Sequence, residues 1–186
     1  MRTPTGTESI SIVQPAADDY ARRTLTLDFL YLNNESCERC MGTENALMAA
    51  LEQVAPILES VDTSITVRDI HVSTLEAAKA TQLAVSPTIR IGGQDIQPDY
   101  IENTCESCGD LCACDGDVDC RLWRFRGKEY TTAPVELIVE ALIQAIVSPS
   151  ARIDASHRGD AYRLSSNVQS FFTGKEDAGH ACGCDC

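Results

Sequence analysis

Hydrophobic and polar positions alternate most clearly between Thr24 and Leu32. One face of this segment carries Leu25, Leu27, Phe29 and Tyr31, and the other face becomes apolar at Leu30 and Leu32. A segment that is apolar on one face throughout, and on both faces near its end, is typical of a strand covered on both sides. The pattern therefore predicts a central β-strand.

A helical pattern follows the cysteine pair Cys37 and Cys40. Apolar residues recur three and four positions apart at Leu47, Ala50, Leu51, Val54, Ile57, Leu58 and Val61. This spacing predicts an amphipathic helix. Because proline lacks the amide hydrogen that a helix interior uses, we expect Pro56 to kink or divide this helix.

Three further strands and a helix are predicted before residue 100. Residues 64–72 form a second strand, and Ser73 to Glu76 have the form of a capping box in which the serine hydroxyl caps a helix that runs to about Leu83. Thr88–Ile91 and Asp95–Gln97 flank two glycines, Gly92 and Gly93. Paired glycines supply the positive φ angles of a tight turn, which predicts a β-hairpin.

Regular patterning stops between Tyr100 and Cys120, where five cysteines occur and every charged residue is acidic. We interpret this segment as a cysteine-rich insertion and a functional candidate. Another short strand is predicted over Leu122 to Tyr130. Pro134 then opens a helix that ends near Val147, with an apolar face of Val135, Ile138, Val139, Leu142, Ile143 and Ile146.

These elements divide the chain into three parts. Residues 1–23 are polar and lack periodicity, which indicates a mobile N-terminal extension. Residues 24–147 form one α/β domain, with the insertion at 100–120. Residues 148–186 form a loosely docked tail that ends in Cys182, Cys184 and Cys186.

Composition limits the classes of function. The chain has 186 residues, 44% of them hydrophobic, and a formal net charge of −13. This charge repels phosphate backbones, so nucleic acid is not an expected partner. No secretory signal and no apolar run of about 18 residues is present, so we expect a soluble, cytoplasmic protein. In a reducing compartment the ten cysteines favour metal binding or redox chemistry over a disulfide framework.

The order strand, cysteine pair, helix places Cys37 and Cys40 at a helix N-terminus. Free backbone amides and the helix dipole favour a thiolate there, and Cys37 gains most from them. The two-residue gap lets the sulfurs cycle between dithiol and disulfide, with Cys37 attacking and Cys40 resolving. A C-x-x-C pair is equally half of a zinc site. Arg39 would stabilise a thiolate and Glu38 would oppose it, or both are solvated.

The segment Val85-Ser86-Pro87-Thr88 resembles the cis-proline loop of the thioredoxin superfamily. Together with the order βαβαββα over residues 24–147, it makes the chain similar to thioredoxin-like proteins that carry a second cysteine cluster after the hairpin. The resemblance implies a thioredoxin-like fold in which the loop faces the cysteine pair, a cis Ser86–Pro87 bond, and docking of an extended, sulfur-bearing substrate. The alternative is a trans proline that starts an edge strand.

The remaining cysteines form two candidate metal sites. The insertion supplies Cys105, Cys108, Cys112, Cys114 and Cys120. Acidic neighbours make several thiolates unfavourable without a cation, which favours a metal over free thiols. The alternatives are a structural zinc knuckle, a functional soft-metal site or an iron–sulfur cluster. In the tail, Cys182, Cys184 and Cys186 either relay an ion, reduce the Cys37–Cys40 disulfide or form a zinc clip that His180 could join.

Two functions follow from these residues. The first is an oxidoreductase that exchanges disulfides with Cys37 and Cys40 and docks its thiol or disulfide substrate beside Pro87, with this redox chemistry coupled to metal or metalloid handling. The second is a protein that binds mercury, cadmium, copper(I), arsenite or zinc through thiolates without turnover. Zinc or another thiophilic metal is the expected cofactor, and no organic cofactor and no membrane partner are expected.

Overall fold

A computed structural model describes residues 23–105, 118–148, 162 and 164–181, the last eight of these by their main chain alone. The N-terminal extension before Arg23 lies outside the described residues. The elements in chain order are β1 (Arg23–Tyr31), α1 (Glu38–Ser60), β2 (Thr63–His71), α2 (Leu75–Thr81), β3 (Thr88–Ile91), β4 (Gln94–Asp95), β5 (Ile101–Thr104), β6 (Asp119–Phe125), β7 (Lys128–Tyr130), α3 (Val135–Val147) and α4 (Ser166–Ala181).

The architecture is α/β, as predicted, and contains two sheets. The first sheet has the strand order β2-β1-β3-β4, with β1 and β2 parallel and the other pairs antiparallel. The second sheet is antiparallel and has the order β5-β6-β7. The crossover from β1 to β2 passes through α1, as a parallel connection requires.

The predicted glycine hairpin is confirmed. Gly92 and Gly93 have φ angles of 60° and 80° and join β3 to β4. A second hairpin joins β6 to β7, where Arg126 and Gly127 have φ angles of 50° and 76°. The single strand expected over Leu122–Tyr130 is therefore two strands, because this tight turn reverses the chain between them.

The insertion contains more regular structure than its sequence pattern indicates. β5 and the first residues of β6 lie within 100–120 and pair in an antiparallel register, with Ile101 opposite Leu122 and Thr104 opposite Asp119. Short strands rich in polar residues give weak alternation, which explains why the pattern did not predict them. Residues 106–117, which include Cys108, Cys112 and Cys114, lie outside the described residues.

Two helix predictions need correction. Helix α1 is continuous through Pro56, which lies on its exposed face, so the carbonyl left without a helical partner can be hydrated. The cap of α2 is Thr74 and not Ser73, because the Thr74 hydroxyl accepts the amide of Ala77 at 3.1 Å. Helix α3 starts after Pro134 and ends at Val147, close to its predicted bounds.

The buried side chains form two clusters. The first core lies between the first sheet, α1 and α3, and includes Leu27, Phe29, Leu47, Val54, Ile89, Ile138 and Leu142. The second core joins the end of β1 to α2, the β5–β6 hairpin and α4, and includes Leu30, Leu32, Ala78, Leu83, Val118, Val168, Phe171 and Phe172. Neighbouring residues of β1 thus enter different cores, as its two apolar faces predict.

Part of the tail is ordered against this second core. Val168, Phe171 and Phe172 of α4 are all buried. This part of the tail therefore packs more closely than its polar composition suggests. Every helix in the described part of the chain is too short or too polar to cross a lipid bilayer.

Candidate metal centre

The second core contains four buried cysteines. Cys37, Cys40, Cys105 and Cys120 expose 0%, 1%, 2% and 1% of their surface. The sulfur atoms of Cys37, Cys105 and Cys120 all lie within 4.8 Å of one another. We call these three residues the three-thiol cluster. The structure thus joins one residue of the cysteine pair to two residues of the insertion, which the sequence assigned to separate sites.

The β5–β6 register explains how Cys105 meets Cys120. The amide of Cys105 donates to the carbonyl oxygen of Val118 at 2.8 Å, which extends the ladder one step beyond Thr104 and Asp119. Side chains two residues apart on a strand share a face. Cys120 therefore lies on the same face as Val118 and diagonally across from Cys105, within the reach of two thiols.

Helix α1 brings Cys37 to this hairpin. Cys37 is the N-cap residue of α1, where the first helical amides favour negative charge. Two residues later, the Arg39 guanidinium donates to the carbonyl oxygens of Asn103, Thr104 and Cys120 at 3.4, 2.9 and 3.3 Å, and to the Asn103 side chain at 2.5 Å. Arg39 therefore fastens the first turn of α1 to both strands that carry the other two thiols.

Cys40 contacts Cys37 but is not a member of the three-thiol cluster. Its Sγ lies 3.7 Å from the Ser86 Oγ, and it forms a hydrogen bond with Cys37. This hydrogen bond, then burial, then the charge of a Cys37 thiolate raise the pKa of Cys40 above its ordinary value of 9.0. Cys40 therefore remains a protonated thiol at neutral pH and can donate to Cys37.

The loop before β3 holds Cys40 and the hairpin together. The Ser86–Pro87 peptide bond is cis, as the resemblance implied. The Ser86 hydroxyl accepts the amide of Leu32 at 3.1 Å, and the Ser86 carbonyl oxygen accepts the amide of Arg121 at 2.8 Å. The backbone acceptor beside Pro87 is thus bonded to the chain's own β6, at the place where the resemblance implied that a substrate docks.

A buried ion pair connects β6 to the first sheet. The Arg121 side chain is fully buried, and its guanidinium forms a bidentate pair with Asp95 at 3.0 and 2.5 Å. It also stacks on Trp123, with the guanidinium carbon 4.6 Å from the ring centroid. Since Cys120 precedes Arg121, this pair limits how far the thiol of Cys120 can move. The sequence pattern did not identify Arg121 as a site residue.

Helix α4 packs in the same buried core as the thiols and is bonded to β5 and β6. The Asn167 amide group donates to the Glu102 carboxylate at 2.9 Å and to the Asp119 carbonyl oxygen at 2.6 Å, and its oxygen accepts the Asp119 amide at 3.0 Å. Burial raises the pKa of Glu102, and the bond from Asn167 offsets part of this effect. Asn167 thereby holds the first turn of α4 against β5 and β6, in the core that contains the cluster.

Among the remaining sequence candidates, the structure describes the side chain of His71, which is not a member of the three-thiol cluster. His71 stacks on Tyr31, and its Nε2 lies 3.1 Å from the Leu32 carbonyl oxygen, which accounts for it structurally. Cys108, Cys112, Cys114, Cys182, Cys184 and Cys186 lie outside the described residues, as does the side chain of His180.

Comparison with known proteins gives one match. The family model described as Domain of unknown function (DUF2703) matches residues 25–142, which include all three residues of the three-thiol cluster. Helix α4 lies beyond the matched range. Neither the curated proteins nor the solved structures gave a match to this chain.

Replacing Asn167 tests whether α4 shields the thiols. Asn167→Ala removes three hydrogen bonds, and we expect local opening to make alkylation of Cys37, Cys105 and Cys120 by iodoacetamide about tenfold faster. Peptide mapping by mass spectrometry measures the rate at each cysteine. Gln169→Ala, on the exposed face of α4, is the matched control and should leave the rates unchanged. Equal rates in Asn167→Ala and the wild type would show that α4 does not shield the site.

Proposed function

The chain belongs to the family described as Domain of unknown function (DUF2703), and we propose that it binds a thiophilic metal or metalloid ion through Cys37, Cys105 and Cys120. The observation that supports this proposal is the approach of these three buried sulfurs within 4.8 Å of one another. Thiolate ligands select soft ions such as copper(I), zinc and their heavier relatives.

The separation of the sulfurs suits a single ion. Zinc–thiolate bonds of about 2.3 Å place two sulfurs of a tetrahedral site about 3.8 Å apart. Thiols that already lie within 4.8 Å need only small side-chain rotations to converge on one ion. Copper(I), mercury(II) and arsenic(III) accept three sulfur ligands, whereas zinc requires a fourth ligand to complete its tetrahedron.

The burial of the three thiols favours a bound cation. Thiolates bind metals only after they lose their protons, and three adjacent thiolates in an apolar core would repel one another. A bound cation removes this repulsion. A trivalent metalloid neutralises three thiolates completely, and a divalent metal leaves one negative charge, which the nearby Arg39 guanidinium can balance.

We also propose that residues 24–147 adopt a thioredoxin-like fold. Three observations support this classification: the sheet order β2-β1-β3-β4, the cysteine pair at the start of α1, and the cis Ser86–Pro87 bond next to Cys40. In this proposal the β5–β6 hairpin is an addition to the fold, and it supplies the two thiols that turn a cysteine pair into a three-ligand site.

Single cysteine substitutions test the proposed site. We expect Cys37→Ser, Cys105→Ser and Cys120→Ser each to weaken Cd²⁺ binding by at least about 100-fold, because each removes a ligand. Replacing a residue that only orients a ligand typically lowers metal affinity by about 10- to 100-fold, and loss of the ligand itself should lower it more. Cys40→Ser is the matched control, because Cys40 is equally buried but lies outside the cluster, and its affinity should stay within about threefold of the parent. Titration followed by sulfur-to-cadmium charge-transfer absorbance gives the affinities.

The titration is made in the full-length chain with the tail cysteines Cys182, Cys184 and Cys186 replaced by serine, so that they cannot take up the ion. Unchanged affinity in all three cluster variants would overturn the proposal. Equal loss in Cys40→Ser would also contradict it, because binding would then depend on the general packing of the second core and not on three particular ligands.

Arg39 provides a second test, since it positions Cys37 against the hairpin without being a ligand. We expect Arg39→Gln to weaken Cd²⁺ binding about tenfold, as is usual for residues that orient ligands. Arg39→Lys retains the charge but not the fork that reaches Asn103, Thr104 and Cys120, and should recover only part of the affinity. Full recovery with lysine would mean that Arg39 acts through its charge alone.

Thiol–disulfide exchange is the second candidate function. It is favoured by the Cys37–Cys40 hydrogen bond at the start of α1 and by the protonated state of Cys40, which together resemble an attacking and a resolving thiol. Burial of both sulfurs and the bond from Arg121 to Ser86 disfavour docking of an extended substrate.

A turnover assay separates this candidate from ion binding. If exchange is the function, catalytic amounts of metal-free protein will accelerate reduction of a small organic disulfide by dithiothreitol, and Cys37→Ser will abolish the acceleration. Cys105→Ser should leave the rate unchanged, because Cys105 belongs to the cluster and not to the Cys37–Cys40 pair. No acceleration by the wild type would exclude exchange as the function.

A further inference from the structure

Cys37 belongs to two arrangements at once. Its sulfur lies in the three-thiol cluster with Cys105 and Cys120, and it also forms a hydrogen bond with Cys40. A sulfur bound in a disulfide is no longer a thiolate ligand. Ion binding at the cluster and a Cys37–Cys40 disulfide therefore exclude each other.

The geometry favours the Cys37–Cys40 disulfide over other pairings of Cys40. The two residues are three positions apart at the start of α1, where side chains with this spacing face each other. Both are buried in the second core, and Ser86 holds the Cys40 sulfur beside Cys37. Cys40 is thus a thiol next to a candidate ligand and outside the group of ligands itself.

We propose that Cys40 makes ion binding at the three-thiol cluster redox-dependent: oxidation joins Cys37 to Cys40, removes one of the three ligands and releases the ion. This inference rests on the proposed function, since it requires an ion at the cluster. Two remaining thiolates, Cys105 and Cys120, hold a soft ion much more weakly than three. Reduction of the disulfide restores the third ligand and the site.

The oxidant that suits this site is a small hydroperoxide. The thiols are buried in the core that they share with α4, and the Ser86 carbonyl oxygen is already bonded to Arg121, so that an extended disulfide substrate has little access. Hydrogen peroxide is about the size of two water molecules and needs only a local opening of the core to reach Cys37.

Each step balances. The Cys37 thiolate attacks one peroxide oxygen, the O–O bond breaks, and with one proton from solvent the products are a Cys37 sulfenic acid and water. The Cys40 sulfur then attacks the Cys37 sulfur, the S–O bond breaks, and the thiol proton of Cys40 leaves with the hydroxide as a second water. The two thiols lose two electrons, and peroxide is reduced to two waters.

The experiment follows Cd²⁺ release from the loaded full-length chain in which Cys182, Cys184 and Cys186 are again replaced by serine, and Cd²⁺ is used because peroxide does not oxidise it. With one equivalent of hydrogen peroxide, we expect the charge-transfer absorbance to disappear as the Cys37–Cys40 disulfide forms. Peptide mapping should detect one Cys37–Cys40 disulfide for each ion released. A phosphine reductant should then restore the absorbance. Release without this disulfide, or the disulfide with Cd²⁺ still bound at the cluster, would overturn the inference.

Cys40→Ser and Cys40→Ala are the matched variants. Both retain the three ligands, and we expect release by peroxide to be about tenfold slower in each, because Cys105 and Cys120 are engaged by the ion and cannot trap the Cys37 sulfenic acid as the free Cys40 thiol does. Their Cd²⁺ absorbance before oxidation shows that they are folded and loaded. Release as fast as in the wild type would contradict the role of Cys40. A wild-type chain that takes up no Cd²⁺ at the cluster would instead refute the proposed function itself.

Discussion

The hydrogen bond from the Arg121 amide to the Ser86 carbonyl oxygen joins the two sheets at the point on which the rest of the site depends. It lies between Cys120 on one side and the cis Ser86–Pro87 bond and Cys40 on the other. The buried Arg121–Asp95 pair supports it from the first sheet, and Arg39 supports it from α1. Together these contacts hold a hairpin with two thiols over a helix that presents a third.

The chemistry of the site follows from where these thiols lie. A thiol on the surface of a chain with a net charge of −13 would be free to stay protonated or to react with solvent species. In the second core, the N-terminus of α1 favours charge on Cys37, whereas the hydrogen bond with Cys37, followed by burial, raises the pKa of Cys40 and keeps its proton in place. The two sulfurs of the pair therefore differ in the charge that their surroundings favour, and only Cys37 is one of the proposed ligands.

Local patterns predicted much of the fold and part of the site. The alternation in β1, the glycines between β3 and β4 and the apolar spacing of α3 are determined by neighbouring residues, and the structure places all three where they were expected. The β6–β7 turn at Arg126 and Gly127 was missed although a glycine marked it. The pattern did not predict helix α4 because only a few of its residues are apolar, and its packing depends on bonds to the distant strands β5 and β6.

The sequence by itself determined that Cys37 and Cys40 begin a helix next to a central strand, because a strand, a C-x-x-C pair and an amphipathic repeat are each set within a few residues. Only the tertiary structure decided which other cysteines meet Cys37. That outcome depends on the register of β5 against β6, on the bonds from Arg39 and on the Arg121–Ser86 contact, which join residues distant in sequence. The spacing of five cysteines along the insertion carries no information about these contacts.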